Sequence, residues 1–383
     1  MASILIKNAE LSTLSTSKPA SILIENGRIT KISTSTLDSG VDMVIDGTGL
    51  TAFPGFIDVH IHGAVGVDIN EADADDMLRV AEFLAANGIT SWVPTLVPDS
   101  DANYHRVIGE IEKLCALQGG KPVAQAVGVH YEGIFANEKM CGALRPEYFK
   151  RFGDTLSIDL PRLKSGAHLT TLAPEVTGGI DLIRLLVSEG WVPLIGHTNA
   201  DVATLDAAFS AGARHMTHFY NAMTGIHHRD LGVAGWALTK SDVTFDIIVD
   251  GIHVEPRMLK LAVDAKLPEN VLLISDSVAP TGLGDGSFEL WGENVSVTAG
   301  RTRNERGSIA GSVINMLDAF RQMSKLGYSN RELSLMSSRN PARLIGMDDQ
   351  LGSLDEGKCA DIVLLDADGS VRHTIVRGVA LHN

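Results

Sequence analysis

From residue 55 to residue 349, short apolar runs alternate with longer amphipathic ones, and this alternation constrains the fold more than any other feature of the chain. Such runs read as βαβ units, and a series of βαβ units builds a parallel sheet. Eight candidate strands can be placed, at Gly55–His60, Ser91–Leu96, Ala126–Tyr131, Leu169–Ala173, Val192–Ile195, Met216–Tyr220, Thr244–Val249 and Val271–Ser275. Helical patterns lie between most of them, at Ala72–Ala86, Ala102–Leu117, Ile180–Ser188, Ala200–Ala211 and Pro256–Ala265. The gap around Asp154–Lys164 carries a weaker pattern. Eight units over roughly 290 residues match a (β/α)8 TIM-type barrel. A doubly wound open sheet is the alternative, and it leaves the polar pattern described below unexplained.

The two ends of the chain have a different texture. Ser3–Lys7, Ser21–Glu25 and Asp42–Asp46 are short β-like runs separated by turns such as Asn26-Gly27, and Asp361–Leu365 and Thr374–Val376 repeat the pattern near the C-terminus. Neither flank alone is long enough to bury a core. The expected organisation is a small β-sandwich domain made from residues 1–54 and 350–383, with the barrel, 55–349, inserted between them.

Charge narrows the possible partners. With 32 Lys and Arg against 47 Asp and Glu, the formal net charge is −15, which argues against nucleic acid or an anionic membrane. An anionic substrate would therefore need a local cluster of donors. No apolar run approaches the ~18 residues of a membrane span. The opening Met1-Ala2-Ser3 lacks the basic region of a signal peptide. Three cysteines, Cys115, Cys141 and Cys359, are far apart and odd in number, which points to a reducing cytoplasm.

Nearly every candidate strand ends in a residue able to bind a metal or move a proton. The series runs His60-Ile61-His62, His130-Tyr131-Glu132, Glu175, His197, His218, Asp250 with His253, and Asp276. In a barrel the C-terminal strand ends converge on one face, so these positions become neighbours. His60 and His62, two apart on a strand, point to the same side and can chelate one metal while Ile61 packs outward. Glu132 is a candidate ligand that can bridge two ions, and His197 and His218 are neutral nitrogen ligands suited to zinc or iron. Asp276 can both ligate a metal and carry a proton from water to a leaving group. His253 can hold an anion.

Pro54-Gly55-Phe56-Ile57-Asp58-Val59-His60-Ile61-His62-Gly63 resembles the first-strand signature of the amidohydrolase superfamily. His130-Tyr131-Glu132-Gly133, Leu172-Ala173-Pro174-Glu175, Gly196-His197-Thr198-Asn199-Ala200, Thr217–Met223, Asp250–His253 and Ala310-Gly311-Ser312 narrow the likeness to the N-acetylglucosamine-6-phosphate deacetylase group. The resemblance implies hydrolysis of the acetamide of N-acetylglucosamine 6-phosphate to glucosamine 6-phosphate and acetate. It implies one or two divalent metals per subunit, zinc or iron. Glu132, His197 and His218 would hold one, and His60 and His62, with Glu132 and Asp276, a second. Asp276 would be the general acid and base. Asn221, Ala222 and His253 would meet the phosphate, joined by Arg229 from the partner subunit of a homodimer.

Two departures stand out. Ile134 follows Gly133 where the group usually has Pro, and Gly142-Ala143-Leu144 replaces a Gly-Ala-His in which the histidine faces the substrate carbonyl. Leucine cannot donate a hydrogen bond. Either a second metal polarises the carbonyl or the acyl or sugar group differs; Arg145, His227 and His228 are candidate substitutes. The competing expectations are a deacylase of another N-acyl amino-sugar phosphate or amide, and a non-catalytic assembly protein with eroded ligands.

Overall fold

The computed structural model describes residues 2–12, 19–35, 37, 40–153 and 159–381. Its centre is a (β/α)8 barrel of strands β1 (Phe56–Ile61), β2 (Ile89–Leu96), β3 (Gly128–Phe135), β4 (Ala167–Leu172), β5 (Val192–Ile195), β6 (His215–Met216), β7 (Thr244–Ile248) and β8 (Val271–Ile274). Each pairs in parallel with the next. The ring closes beyond β8: Ile61 bridges Ser277 in parallel, the Asp276 N–H donates to the His60 carbonyl at 3.0 Å, and the His62 N–H donates to the Ser277 carbonyl at 2.8 Å. The closing seam thus joins two of the sequence-predicted site segments backbone to backbone.

Burial on both faces explains why the strands read as continuous apolar runs. Successive residues alternate between an inner cluster and a helix-facing one. Leu194, Ile248, Leu272 and Ile274 pack inside the barrel, while Ile195, Ile247 and Leu273 join the large core under the helices. The five expected helices form as α1 (Ala74–Ala86), α2 (Asp101–Leu117), α3 (Gly179–Ser188), α4 (Val202–Ala211) and, after an unexpected α5 (Gly232–Thr239), α6 (Pro256–Lys266). Another unexpected helix, α7 (Met316–Lys325), starts at a capping box between Asn315 and Asp318, a legible signal. By contrast α5 has no side-chain cap and contains two glycines, so nothing local marks it.

Both chain ends build one small β domain. Strand Thr51–Pro54 pairs with Ile4–Leu11 on one side and with Ile362–Leu365 on the other. Ile6, Ile22 and Ile45 share one apolar cluster with Ile362 and Ile375. The passage into the barrel runs through Gly55, where a Cβ would lie 2.1 Å from the Thr90 hydroxyl oxygen.

The strand limits differ from expectation most consequentially at β6 and β3. β6 is only His215–Met216, because the chain turns left-handed at His218 and Tyr220. β3 runs on to Phe135, so Glu132 lies within it and not beyond its end. A three-stranded antiparallel sheet, Gly286–Leu290, Glu293–Thr298 and Arg301–Arg303, follows β8 and had no counterpart in the sequence reading. Of the weak segment Asp154–Lys164, residues 154–158 lie outside the described residues, and 159–164 form no helix.

Candidate metal centre and active site

The seam residues meet the ends of β3, β5 and β6 at the C-terminal mouth of the barrel. His60 Nε2 lies 3.2 Å from His62 Nε2, 3.5 Å from Glu132 Oε1 and 3.5 Å from Asp276 Oδ1. His62 Nε2 is 3.2 Å from both Glu132 Oε2 and Asp276 Oδ1. On the other side of the glutamate, His197 Nε2 and His218 Nε2 each lie 3.1 Å from Glu132 Oε1 and 3.0 Å from one another. Two triads therefore share one carboxylate, His60–His62–Glu132 and Glu132–His197–His218.

Local backbone irregularities aim these side chains. Glu132 sits at a shift of register between β3 and β4, and Gly133 beside it has φ +67°. A bulge of this kind re-aims one side chain. A Cβ on Gly133 would lie 2.2 Å from Leu144 Cδ1, so a larger residue there, besides adopting a left-handed backbone, would displace the Leu144 side chain. His197, His218 and Asp276 have φ of +47°, +32° and +49°. That region costs a residue with a Cβ about 1–2 kcal/mol, and strain of this kind concentrates at functional sites.

Carboxylates deeper in the barrel support the ligands, and none of them stood out in the sequence. Asp246 on β7 accepts from the His218 N–H and, at 2.9 Å, from His215 Nε2. Asp58 on β1 accepts from the His60 N–H at 3.3 Å and from the Ser275 hydroxyl at 2.6 Å. Burial pushes its carboxyl up to about 6. The Met140 carbonyl accepts from His197 Nδ1 at 2.7 Å, which leaves Nε2 free as a ligand. The signal for Asp58 and Asp246 was their spacing of two from an inward-facing residue on the same strand, His60 and Ile248.

Electrostatics test whether a cation fits. Burial penalises the Glu132 carboxylate, but the His60 charge and hydrogen bonds from His197 and His218 hold it well below the usual range. Burial would lower His62, yet Asp276 and Glu132 push it up to about 10, and Glu132 pushes His218 up to about 8 in the same way. Two buried acids thus call for positive charge between them. Nitrogen ligands about 2.0–2.1 Å from a tetrahedral zinc lie about 3.3 Å apart, close to the 3.0–3.5 Å separations here. A divalent metal fits this donor set.

The ligands open into a cavity of about 270 Å³. Gly142, Ala143, Leu144, Asn221, Ala222 and His253 line it, as the sequence reading placed them. His253 donates from Nδ1 to Asp250 at 2.7 Å, so Nε2 is its free nitrogen. Trp291 and Ile309 also line the cavity and were not foreseen, because the turn and loop that carry them bear no metal or proton chemistry. The suggested substitutes for the missing histidine are absent from the lining. Arg145 is held by the Pro98 carbonyl and Asp99 and lies over the Tyr148 ring, and His227 and His228 sit exposed on the loop after β6. Arg229 on the same loop is exposed and does not reach the cavity of its own chain. Glu175 is not a ligand; it accepts from Thr198 and Asn199 and holds the loop behind His197. A second cavity of about 440 Å³, at the other end of the barrel, holds none of the candidate residues.

A model of the amidohydrolase family matches residues 51–381. The N-acetylglucosamine-6-phosphate deacetylase of Bacillus subtilis (strain 168) is 34% identical over 377 residues, covering 97% of this chain and 91% of that protein. The N-acetylgalactosamine-6-phosphate deacetylase of Escherichia coli O157:H7 is 36% identical over 329 residues, covering 85% and 86%. Among solved structures, the N-acetylglucosamine-6-phosphate deacetylase of Pasteurella multocida superposes with a TM-score of 0.90 at 27% identity, over 100% of both chains. A mutant of the Mycobacterium smegmatis enzyme in complex with N-acetyl-D-glucosamine-6-phosphate gives 0.86 at 28% identity, over 99% of both.

Proposed function

The chain belongs to the amidohydrolase family, and from that premise we propose that it hydrolyses the acetamide of N-acetylglucosamine 6-phosphate, releasing acetate and glucosamine 6-phosphate. The observation that carries the reading is the complete donor set around Glu132, placed beside a cavity with Asn221, Ala222 and His253 at its rim. A non-catalytic protein on this fold would have no reason to keep all six donors.

Glu132, His197 and His218 would hold one divalent ion, and His60 and His62, with Glu132 and Asp276, a second. Histidine and carboxylate donors accept zinc or iron. When bound, the metal supplies a Lewis acid and makes a nearby water a better nucleophile. Asp276 takes the proton of the attacking water and returns it to the departing amine nitrogen. Burial disfavours its charge, but the hydrogen bond from His62 and the charges of His60 and His62 hold the carboxyl below its ordinary value, so it starts as the base. The two-ion arrangement answers the loss of a donor at Leu144. His253 and the Asn221-Ala222 turn take the phosphate, with Arg229 of a partner subunit completing the site in a homodimer. No described helix is long and apolar enough to cross a membrane, and Cys115, Cys141 and Cys359 are free thiols, in keeping with a reducing cytoplasm.

A second reading has one observation behind it, the 36% identity to an N-acetylgalactosamine-6-phosphate deacetylase. Acetate release from both 6-phosphates and from unphosphorylated N-acetylglucosamine, with metal measured on the same preparation, decides between them. The expected order is the glucosamine ester first, its epimer slower, and the free sugar least. Equal turnover of the free sugar would remove the phosphate from the proposal. Asp276→Asn should reduce kcat about 10²–10⁴-fold with metal content nearly intact; near-wild-type turnover would remove the acid and base assignment.

A further inference from the structure

Trp291 occupies a backbone position that its own side chain disfavours. Strands Gly286–Leu290 and Glu293–Thr298 form a hairpin whose two-residue turn is Trp291-Gly292, with φ of +54° and +78°. Hairpin turns left-handed at both central residues prefer Asn-Gly or Asp-Gly, and a bulky residue there is an outlier. Nor is this an exposed turn tip. The indole is buried, lies edge-on to the His62 ring at 5.5 Å, and shares one apolar cluster with Leu144 and Val278. It also forms part of the wall of the cavity that contains His62 and Asp276. A strained conformation held over a reaction centre points to a function for the side chain that occupies it.

The layout of the barrel mouth says which function. The apolar wall comes from the Leu144 loop after β3 and from the hairpin after β8. The polar donors, Asn221 and His253, come from the loops after β6 and β7. Glu132 and Asp276 line the same cavity, and His62, at 3.2 Å from both, stands beside Trp291. A substrate whose phosphate meets Asn221 and His253 and whose amide carbon stands by Asp276 and His62 must turn its acyl group toward Trp291 and Leu144.

We propose that Trp291, backed by Leu144, is the end wall of the acyl subsite and sets acyl size, admitting acetyl and refusing longer chains. The assignment rests on the proposed deacylase reading and names the part of the substrate that this wall recognises. The leucine in place of the group's histidine then has a positive role: it completes an apolar surface for a methyl group.

The test compares kcat/KM for N-acetyl-, N-propionyl- and N-butyryl-glucosamine 6-phosphate in the wild type, Trp291→Phe, Trp291→Ala and Leu144→Ala. A methylene in a hydrophobic pocket changes selectivity by about 10–200-fold. The butyryl-to-acetyl ratio should therefore rise at least about tenfold in Trp291→Ala and by less in Trp291→Phe. Calorimetry on the metal-free proteins adds a readout independent of turnover: the butyryl compound should bind more tightly to Trp291→Ala than to the wild type. Should Trp291→Ala fail to fold, Trp291→Phe and Leu144→Ala decide by the same ratio. Ratios unchanged in folded variants of an active wild type would overturn this inference alone. A wild type that cleaves none of the three would overturn the deacylase reading, and this inference with it.

Discussion

Asp246 offers the sharpest test of how the fold holds its metal ligands, because two substitutions at that position should behave oppositely. The carboxylate is buried at 1% exposure and touches no candidate ligand atom. It accepts from the His218 backbone N–H through Oδ1 and from His215 Nε2 through Oδ2, while His215 Nδ1 lies 2.7 Å from the Thr244 hydroxyl. Asp246→Ala leaves both donors unsatisfied in a region without water access. At about 1–3 kcal/mol for each unsatisfied buried group, plus a small cavity, the cost is about 3–5 kcal/mol. In a chain of 383 residues that lowers the melting temperature by roughly 4–6 °C. Losing support behind a ligand should also weaken metal binding about 10–100-fold. Asp246→Asn keeps the volume. Its amide oxygen still accepts from His218, and its NH2 can donate to His215 Nε2 once the histidine carries its proton on Nδ1. That proton then goes to the Thr244 oxygen, whose hydroxyl already reaches the Arg214 carbonyl at 3.3 Å. The asparagine variant should therefore stay within about 1 kcal/mol of the wild type and keep its metal. Melting curves and metal content on the same preparations decide the matter. An alanine variant with normal stability and full metal would refute the account of support through hydrogen bonds; an asparagine variant as damaged as alanine would show that the charge, and not donor satisfaction, carries the effect.

The remaining predictions concern protons, backbone and subunits. His62 at about 10 and His218 at about 8 are both raised above the ordinary 6.5. Protonation therefore stabilises the metal-free fold fully below that ordinary value, and the contribution is lost as pH rises through about 8 and then about 10; metal-free protein should melt progressively lower over that range. The same protons compete with the metal, so metal affinity, measured against a chelator, should rise with pH until both are gone. A His60→Asn/His62→Asn double variant should bind one metal per subunit with reduced turnover, and full turnover with one ion would remove the role given to a second. Gly311 has φ +61°, and a Cβ there would lie 2.5 Å from Val278 Cγ1 and 2.9 Å from the Asp276 carbonyl oxygen. Gly311→Ala should cost about 2–4 kcal/mol and depress kcat by moving Asp276, with melting and turnover as readouts. Arg229→Ala and Asp276→Asn, each weakly active alone, should regain turnover when mixed, because one site of the mixed dimer holds both native groups; no recovery after verified subunit exchange would place Arg229 elsewhere.

The sequence by itself determined the barrel, the small domain built from both flanks, and the meeting of the metal-binding strand ends; Gly142–Leu144 and Asn221-Ala222 came to the cavity lining only through the family resemblance. The first three are legible because they are periodic. Apolar runs at strand length, separated by helical patterns, leave few ways to bury both faces of a sheet, and closure brings every C-terminal strand end to one mouth. His60, His62, Glu132, His197, His218 and Asp276 were therefore legible as neighbours although they span more than two hundred positions. Only the tertiary structure decided how they are aimed and backed. The bulge at Glu132 and the left-handed turns at His197, His218 and Asp276 depend on packing against other strands, for which no local pattern exists. Asp58 and Asp246 read as ordinary strand carboxylates until closure buries them under the ligands. Arg145, with suitable chemistry and a nearby number, is drawn off to Asp99, while Trp291, far along the chain and in a turn that favours asparagine, arrives beside His62. Residue type and spacing predict which groups a strand end offers; which of them share a cavity depends on contacts between segments remote in sequence, which only the folded chain specifies.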